Sequence, residues 1–262
     1  MQTFVLRGGR MEFNNILVRL IGYKATVLHS DTMVYDRWKW LKSHIIKGPV
    51  KTLEAGCGSG AFTMYAGLVG NNATGISFDT ENNKKARERV RILKIKNTNF
   101  IDGDLRKLKE TGNEIEMFDQ IICFEVIEHI IEDRIFIKNI SHILKPGGVI
   151  LFTAPNKDMK PMIGDKISAI EDGGHVRWGY SHQELEEIFE NAGIEITKKE
   201  YVSGFISQKL TNIYRKISNI NKRLSWILIF PFRVLVIFDK YVTKLLKYPY
   251  FLVCVVGVKR RK

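Results

Sequence analysis

A glycine-rich turn between a short strand and an apolar helix is the feature that most constrains the fold of this chain. Residues 50–53 form a short strand-like run, residues 53–60 read LEAGCGSG, and residues 61–69 carry apolar residues at helical spacing. Alternate glycines let the backbone turn sharply and remove Cβ atoms that would block a ligand lying on the turn. The N–H groups at the start of the next helix point at that ligand. The pattern predicts a ligand site after the first strand.

An acidic residue closes the next apolar run of the chain. Residues 73–78 read ATGISF, and Asp79 comes directly after them. A carboxylate about 20 residues beyond such glycines can accept hydrogen bonds from both hydroxyls of a ribose. The glycine turn and Asp79 together therefore indicate a ligand that contains a nucleoside.

Two nucleoside cofactors fit this arrangement. A dinucleotide fingerprint would use Gly56, Gly58 and Ala61 as its small residues. An S-adenosylmethionine site would use Glu54 and Gly60 with the first two glycines, and it has no diphosphate to bind. Glu54 favours S-adenosylmethionine, because a carboxylate there attracts the ammonium of the methionine part and would repel a diphosphate.

Ordered motifs from about residue 50 to residue 201 resemble those of the class I S-adenosylmethionine-dependent methyltransferases. Besides residues 54–60 and Asp79, the match includes FIDGDL (100–105), FDQIICFE (118–125) and LKPGG (144–148). The resemblance implies an α/β fold with a doubly wound, mostly parallel seven-stranded sheet, S-adenosylmethionine as cofactor, and a bond from Asp104 to the adenine amino group. The cofactor-binding residues it implies are Glu54, Gly56, Gly58, Gly60, Asp79, Asp104, Leu105 and Phe124.

Strand-like and helical segments alternate along this region, which by itself predicts a parallel sheet with helices on both faces. Ser181 and Glu184 have the spacing of a capping box at a helix start. Residues 33–47 read as a helix that in the resembling family closes over the cofactor, although core packing explains its apolar face equally well. The predicted strands are 50–55, 73–79, 98–102, 118–124, 149–154, 194–201 and 251–259, and the predicted helices between them include 61–69, 81–94 and 133–144.

Positive charge is concentrated in the last quarter of the chain. The chain carries 41 Lys and Arg against 28 Asp and Glu, a net charge of +13. Residues 198–262 hold 15 of the basic residues and only two acidic ones, so the residues before them sum to about zero. The predicted catalytic body is neutral, and the C-terminal quarter is a concentrated cation.

The basic segment also contains an apolar stripe and an apolar run, both between the last two predicted strands. Apolar residues at alternating steps of four and three along 206–224 predict one amphipathic helix. The run WILIFPFRVLVIF (226–238) follows, and Pro231 and Arg233 interrupt it, which disfavours a membrane-spanning helix. A helical lid against the body or a second subunit is one interpretation. The other interpretation is that the insert binds an anionic membrane surface, and its positive charge favours this. Nucleic acid would also attract this charge, but the bulky aliphatic residues of the insert favour the membrane.

Two carboxylates and an imidazole follow the predicted fourth strand in the sequence EVIEH, which contains Glu125, Glu128 and His129. His129 has a suitable pKa for the general base that deprotonates an acceptor hydroxyl. Alternatively, these side chains hold a divalent cation, and a helix beginning after the strand would place them on one face. The E-x-x-E-H pattern with a later histidine, His175, resembles ubiquinone-pathway O-methyltransferases and small-RNA terminal 2′-O-methyltransferases. The second resemblance implies Glu125, Glu128, His129 and His175 as metal ligands, whereas in many relatives such residues only orient loops or line the pocket.

These features divide the chain into four predicted parts: an N-terminal segment with the cofactor-closing helix (1–48), a methyltransferase core (49–204), a basic amphipathic insert (205–248), and the last strand with a basic tail (249–262). Cys57, Cys123 and Cys254 show no metal-type spacing, and an apolar signal-peptide core is missing near the N-terminus. We therefore expect reduced, buried thiols and a cytoplasmic protein, peripheral on the cytoplasmic face of the membrane.

The expected reaction is methyl transfer from S-adenosylmethionine to an oxygen, with His129, Glu128 and His175 as the catalytic residues. The basic amphipathic insert favours a hydrophobic or membrane-borne acceptor, such as a quinone precursor or a polyprenyl-linked compound. Three alternatives remain: methylation of a sugar or another soluble metabolite, RNA 2′-O-methylation with the insert on phosphates, and a binding protein that keeps only the fold.

Overall fold

One mixed sheet forms the centre of the protein, as the alternating pattern predicts. We describe it from a computed structural model that covers residues 13–28, 32–107, 117–162 and 164–261. The strands are β1 (Lys51–Ala55), β2 (Asn72–Ser77), β3 (Thr98–Asp102), β4 (Phe118–Phe124), β5 (Leu144–Pro155), β6 (Ile194–Val202) and β7 (Leu252–Lys259). They lie in the order β3-β2-β1-β4-β5-β7-β6, parallel except that β7 is antiparallel to both neighbours. The order reverses between β1 and β4, and ligands of open α/β sheets bind at such a switch point.

Helices cover both faces of the sheet and fill the segment between its last two strands. The helices are α1 (Phe13–Ile21), α2 (Lys24–Leu28), α3 (Thr32–His44), α4 (Ala61–Leu68), α5 (Thr80–Leu93), α6 (Asp133–Ile143), α7 (His182–Glu190), α8 (Phe205–Ser218), α9 (Lys222–Ile229) and α10 (Asp239–Leu245). Ser181 and Glu184 form the predicted capping box at the start of α7. These elements confirm the predicted α/β architecture.

The core has two apolar layers because successive strand residues point to opposite faces. On one face, Ile121 and Cys123 of β4 pack in a cluster that includes residues of α6 and α7. On the other face, Ile122 and Phe124 pack in a cluster that includes Trp40 of α3 and residues of α4. The cysteines Cys57, Cys123 and Cys254 are all buried free thiols, as expected. Helix α3 is therefore part of the core.

The helix predicted over 33–47 ends at His44, and two predicted strand boundaries differ from the structure by two residues or more. Strand β2 ends at Ser77, two residues before Asp79, because Asp79 serves as the N-cap of α5 and accepts a hydrogen bond from the backbone N–H of Asn82. Strand β5 begins at Leu144, five residues earlier than predicted, because Leu144 already pairs with Phe118 before an irregularity in the β4–β5 register.

The insert between β6 and β7 is helical but is not the single amphipathic helix that its apolar periodicity predicts. Helix α8 ends at Ser218, and a turn separates it from α9. Residues 230–238 form a 3-10 helix, with Pro231 near its start, and α10 follows directly. The predicted apolar stripe is consequently split, and Ile220 in the turn is largely exposed.

The division into four parts stays a prediction, and residues 1–12 of its first part lie outside the described residues. Within the described ranges, no helix combines the length and the apolar character needed to cross a membrane.

Candidate active site

A cavity of about 410 Å³ opens at the carboxyl ends of β1, β2 and β4, where the strand order reverses. It lies at the edge predicted from the glycine turn. Of the predicted cofactor residues, the lining includes Gly56, Gly58, Asp79, Asp104 and Leu105. It also includes His129 and Glu125 from the turn after β4, together with a loop segment at 171–173. The cavity thus brings together residues from five separate parts of the sequence.

The three glycines of the turn are required for different reasons. Gly56, Gly58 and Gly60 all have positive φ angles, which side chains rarely tolerate. A Cβ on Gly56 would lie 2.4 Å from a methyl carbon of Val126, and one on Gly60 would meet Phe100 at 2.6 Å. A Cβ on Gly58 would meet nothing within 4 Å. Gly58 therefore faces the open cavity, whereas the other two glycines allow neighbouring parts of the protein to approach the turn.

Glu54 lies beneath the glycine turn, and it is not part of the cavity lining. Its Oε2 accepts hydrogen bonds from the backbone N–H of Thr63, at 2.6 Å, and from the Thr63 hydroxyl. Oε1 accepts no hydrogen bond within the described part of the chain. Burial raises the pKa of Glu54 to about 8, and the Thr63 hydrogen bonds oppose this shift only partly. Glu54 ties the end of β1 to the first turn of α4.

Asp79 caps the start of α5 and also lines the cavity. Its Oδ1 accepts from the backbone N–H of Asn82 at 2.9 Å, and its Oδ2 accepts from the Asn82 side-chain amide at 2.6 Å. The carboxylate also lines the cavity, next to the ring of Phe78, which is 72% exposed. An exposed aromatic ring beside a carboxylate offers an apolar face and two acceptor oxygens to the same ligand.

Asp104 meets a positive partner that the sequence analysis did not identify. The Arg106 guanidinium donates to both carboxylate oxygens of Asp104, with distances of 2.6–3.0 Å, and also pairs with Glu171. Arg106 and Glu171 both line the cavity. The backbone N–H of Arg106 also donates to Asp104 Oδ1, at 3.0 Å. Arg106 therefore engages both oxygens of Asp104, and a ligand amine at this position would have to share them with Arg106.

Phe124 lies outside the cavity lining, in contrast to its predicted role. Its buried ring packs against Phe62 at a centroid distance of 5.1 Å and against Trp40 at 5.7 Å. Because Phe124 is the last residue of β4, this packing anchors the point at which the chain turns toward the cavity.

Glu125 adopts a left-handed backbone conformation with φ of +53°, which is strained for a residue with a side chain. Its carboxylate accepts from the Thr153 hydroxyl at 3.0 Å and pairs with Arg37 of α3 at 3.3 Å. The turn therefore directs Glu125 toward α3. The expectation that a helix begins here and places Glu125 on one face with His129 is wrong, because only a short 3-10 helix over Ile127–His129 follows.

Glu128, His129 and His175 meet directly behind the cavity wall. One potential ligand atom from each lies within 4.8 Å of the others. His129 Nδ1 faces the carbonyl oxygen of Gly174 at 2.9 Å, and a ring nitrogen in that position must donate its proton. The lone pair of His129 is therefore on Nε2, which lies 3.9 Å from Glu128 Oε1. The structure brings together three of the four predicted metal ligands and leaves Glu125 outside.

Three polar atoms of this cluster have no hydrogen-bond partner among the described residues. Neither carboxylate oxygen of Glu128 forms a hydrogen bond with a described residue, although the side chain is fully buried, and His175 Nδ1 also has no such partner. Burial, and to a lesser extent the charge of Glu125, raises the pKa of Glu128 well above its usual range. Burial and the neighbouring His129 lower the pKa of His175. Buried acceptors without donors are costly, and they mark a position suited to a proton or a cation.

Comparison with known proteins identifies the family of this chain. A family model described as a methyltransferase domain matches residues 46–200, more than half of the chain. The ubiquinone biosynthesis O-methyltransferase of rat mitochondria is 31% identical over 165 residues, which cover 60% of this chain and 47% of that protein. A protein of the same name from Coxiella burnetii is 25% identical and is covered to 70%. The chain spans about half the length of the mammalian relatives that it matches.

Solved structures share the fold at low sequence identity. An S-adenosylmethionine-dependent methyltransferase from Mesorhizobium loti has a TM-score of 0.56 and 15% identity, with 88% of this chain and all of that chain covered. A [4+2]-cyclase, SpnF, has a TM-score of 0.60 and 19% identity, with 88% and 82% covered. Since SpnF is a cyclase, likeness at this level establishes the fold and leaves the reaction to be argued from the site.

Replacing Glu54 by Gln should remove a pH-dependent loss of stability. The pKa of Glu54 is higher in the folded protein than its ordinary value of 4.5, so its ionisation favours unfolding. Its contribution is fully present below about pH 4.5 and is lost as the pH rises toward 8. The amide oxygen of Gln can still accept from Thr63 and does not ionise. Urea unfolding without ligand should give Glu54→Gln a gain over wild type of more than about 1 kcal/mol between pH 5 and pH 8.

The exposed Glu195 on β6 provides the matched control for this prediction. Glu195→Gln should follow the wild-type pH dependence. Equal pH slopes for Glu54→Gln and wild type would contradict the raised pKa.

Proposed function

This chain belongs to the methyltransferase-domain family, and from that premise we propose that it transfers the methyl group of S-adenosylmethionine to an oxygen atom of a hydrophobic small molecule. The observation that carries the proposal is the cavity itself, which has a glycine floor at Gly58, acidic residues at Asp79 and Asp104, and an available imidazole nitrogen at His129. The names of the similar proteins from rat and Coxiella burnetii support an oxygen acceptor of the quinone-precursor type.

The cavity residues have the chemistry needed for each part of the cofactor. Asp79 would accept from the ribose hydroxyls, with Phe78 against an apolar face of the nucleoside. Asp104 would accept from the adenine amino group, and Arg106 holds its carboxylate in place. Gly58 leaves room for the ligand to approach the backbone. Glu54 lies beneath the glycine turn and outside the cavity lining, and its Oε1 is the oxygen left for the methionine ammonium, since Oε2 is used by Thr63.

The reaction needs alignment and the removal of one proton. S-adenosylmethionine supplies an electrophilic methyl carbon bonded to a positively charged sulfur. With this donor bound, the acceptor oxygen would form its new bond to the methyl carbon as the carbon–sulfur bond breaks, and Nε2 of His129 would take the proton of the acceptor hydroxyl. The hydrogen bond from Nδ1 to Gly174 fixes the ring and its tautomer, so that Nε2 keeps the lone pair. Glu128 lies close enough to stabilise the imidazolium that results.

A divalent cation held by Glu128, His129 and His175 is the second candidate for the catalytic group. The fit is favoured by the two unpartnered, fully buried oxygens of Glu128 and by the unpartnered Nδ1 of His175. Glu125 does not fit as a fourth ligand, because it is engaged with Arg37 and Thr153. Such an ion would lower the pKa of the acceptor hydroxyl in place of a base.

We also propose that the insert lies against an anionic membrane surface. Its second half exposes a series of large apolar side chains beside lysines that are also exposed. Basic residues over bulky apolar ones are typical of segments that sink into a lipid interface. The exposed apolar residues from 227 onward are Ile227, Leu228, Phe230, Phe232, Val234, Leu235, Ile237, Phe238, Tyr241, Leu245 and Leu246.

Replacing Asp79 by Asn should weaken cofactor binding without unfolding the protein. Asn keeps an oxygen that can cap α5 but loses the charge-assisted bonds to a ribose, each worth about 1.5–3 kcal/mol. Calorimetry with S-adenosylhomocysteine, the demethylated product, should show an affinity at least about tenfold lower. Glu81→Gln removes an exposed negative charge two residues away and should bind as wild type. If Asp79→Asn binds as tightly as Glu81→Gln, the ribose assignment is wrong.

Replacing His129 by Ala should lower kcat by about 10²-fold or more and leave the affinity for S-adenosylhomocysteine nearly unchanged. The assay uses radiolabelled methyl donor and a fractionated cell extract, followed by partitioning of label among lipid, RNA and aqueous metabolites. Label should enter the lipid fraction and resist mild alkali, as a methyl ether does. His142→Ala, on the exposed side of α6, should be fully active. Label in RNA or in aqueous metabolites would instead support the corresponding alternative acceptors.

Chelation separates the two catalytic candidates in the same assay. If His129 acts as a base without a cation, EDTA leaves the wild-type rate unchanged. If a cation is the catalytic group, EDTA abolishes activity, and added Mn²⁺ or Mg²⁺ restores it in wild type but not in Glu128→Gln.

The protein should sediment with vesicles that contain phosphatidylglycerol and remain in solution with vesicles of phosphatidylcholine alone. Replacing Phe238 by Ser should reduce the bound fraction, because its half-exposed ring lies on the apolar face of the insert. Ile135→Ser on α6 removes a similarly exposed apolar residue outside the insert and should bind as wild type. Equal losses for the two variants, or no binding by wild type, would contradict the membrane assignment.

A further inference from the structure

Two further cavities lie between α3 and the 3-10 helix of the insert. One cavity, of about 410 Å³, is lined by residues of α3, the end of β6, the insert and Tyr250. The other, of about 370 Å³, continues along α3 toward Leu28 and the start of the 3-10 helix. Lys39, Val236 and Ile237 line both cavities, so the two form one groove. We call it the α3–insert groove.

The walls of the α3–insert groove are mostly aromatic and aliphatic. In the first cavity, the rings of Tyr201 and Tyr250 stack at a centroid distance of 5.8 Å, opposite side chains of the insert. The second cavity is lined by Tyr35, Phe230 and Val234, among others. Such a surface suits a hydrocarbon chain and gives little to a small polar solute.

The groove has buried acidic residues and, at its rim, exposed lysines. Asp36 and Asp239 are buried, and each accepts hydrogen bonds within the protein. Asp36 accepts from the Ser203 hydroxyl at 2.9 Å. Asp239 accepts from the backbone N–H groups of Gly204 and Ile206, both at 2.7 Å. Lys39 and Lys240 are exposed and form no ion pair with a described residue. Arg233, which lines the second cavity, is a further, partly buried cation. The exposed charge at the rim is therefore positive, and the protein itself binds the negative charge beneath it.

We infer that the α3–insert groove binds one anionic, phosphate-bearing lipid, with its head group between Lys39 and Lys240 and its chain along the apolar wall toward Phe230. Charge complementarity selects the phosphate, and the apolar wall selects a lipid over a free anion. The exposed side chains of Ile237 and Tyr241 continue from the groove onto the apolar face of the insert, so a lipid can enter from a bilayer. The inference rests on the proposed function only in placing the insert at a membrane.

The groove shares no lining residue with the active-site cavity, but helix α3 contacts both regions. Lys39 and Asp36 of α3 face the groove, whereas Arg37 of the same helix pairs with Glu125 at the rim of the active-site cavity. A lipid in the groove would therefore hold α3 against the insert and place the active site next to the membrane surface.

Calorimetry with oleoyl lysophosphatidic acid, kept below its micelle concentration, tests the inference on the full chain. One saturable site is expected, with inorganic phosphate and uncharged monooleoylglycerol each binding at least about tenfold more weakly. Lys39→Gln and Lys240→Gln should each weaken binding about tenfold, since each removes a charged partner of the phosphate. Lys244→Gln removes the same charge from an exposed site on α10 outside the groove and should change affinity by less than about twofold.

Three results would overturn the inference: equal binding of inorganic phosphate, equal binding of monooleoylglycerol, or equal losses in Lys240→Gln and Lys244→Gln. Ile237→Trp provides a second variant that leaves all charges in place and fills the groove, and it should also lose the site. All variants should bind S-adenosylhomocysteine as wild type. If the groove does not bind the lipid, the S-adenosylhomocysteine measurements remain valid. If the proposed cofactor site is wrong, this shows only in the Asp79→Asn measurement.

Discussion

The close approach of Gly56 to Val126 is the constraint on which the active site depends. It presses the turn after β1 against the turn after β4, at the point where the strand order reverses. A side chain at position 56 would separate these two turns, since its Cβ would overlap the Val126 methyl group. With the turns in contact, the open floor at Gly58 and the imidazole of His129 line one cavity. The positions proposed for the nucleoside and for the reacting groups therefore depend on one contact between Gly56 and the Val126 side chain.

Buried carboxylates give this site its electrostatic character. Glu54 and Glu128 follow or end neighbouring strands, both are buried, and burial raises the pKa of each. Glu54 is satisfied on one oxygen by Thr63, whereas Glu128 has no described hydrogen-bond donor for either oxygen. The Arg37 charge acts on both carboxylates from α3. A ligand that brings positive charge into this region would thus relieve a cost of folding, which links stability to the chemistry proposed here.

Helix α3 connects the active site to the insert. Its buried face belongs to the core, Arg37 reaches the rim of the active-site cavity, and Lys39 reaches the α3–insert groove. The insert in turn caps its own first helix with Asp239, which accepts from the backbone N–H groups at the start of α8. The neutral body and the basic, apolar insert are therefore held together around one helix. The proposed membrane surface of the insert is thereby linked to the candidate active site through α3 and the Arg37–Glu125 ion pair.

The local patterns of the sequence predicted the α/β architecture, the glycine turn and the capping box at Ser181. They also predicted the cavity residues that follow the strand ends. All of these depend on short-range periodicity and on backbone geometry. The positions of Glu125, Phe124 and Arg106 depended on tertiary structure. A left-handed turn directs Glu125 toward α3, core packing draws Phe124 away from the cavity, and Arg106 reaches Glu171 across 65 positions of sequence. The break of the insert after Ser218 and the α3–insert groove were likewise decided in three dimensions. Periodicity reports which residues can share a face, but only packing between distant segments determines which faces meet and which charges they leave without a partner.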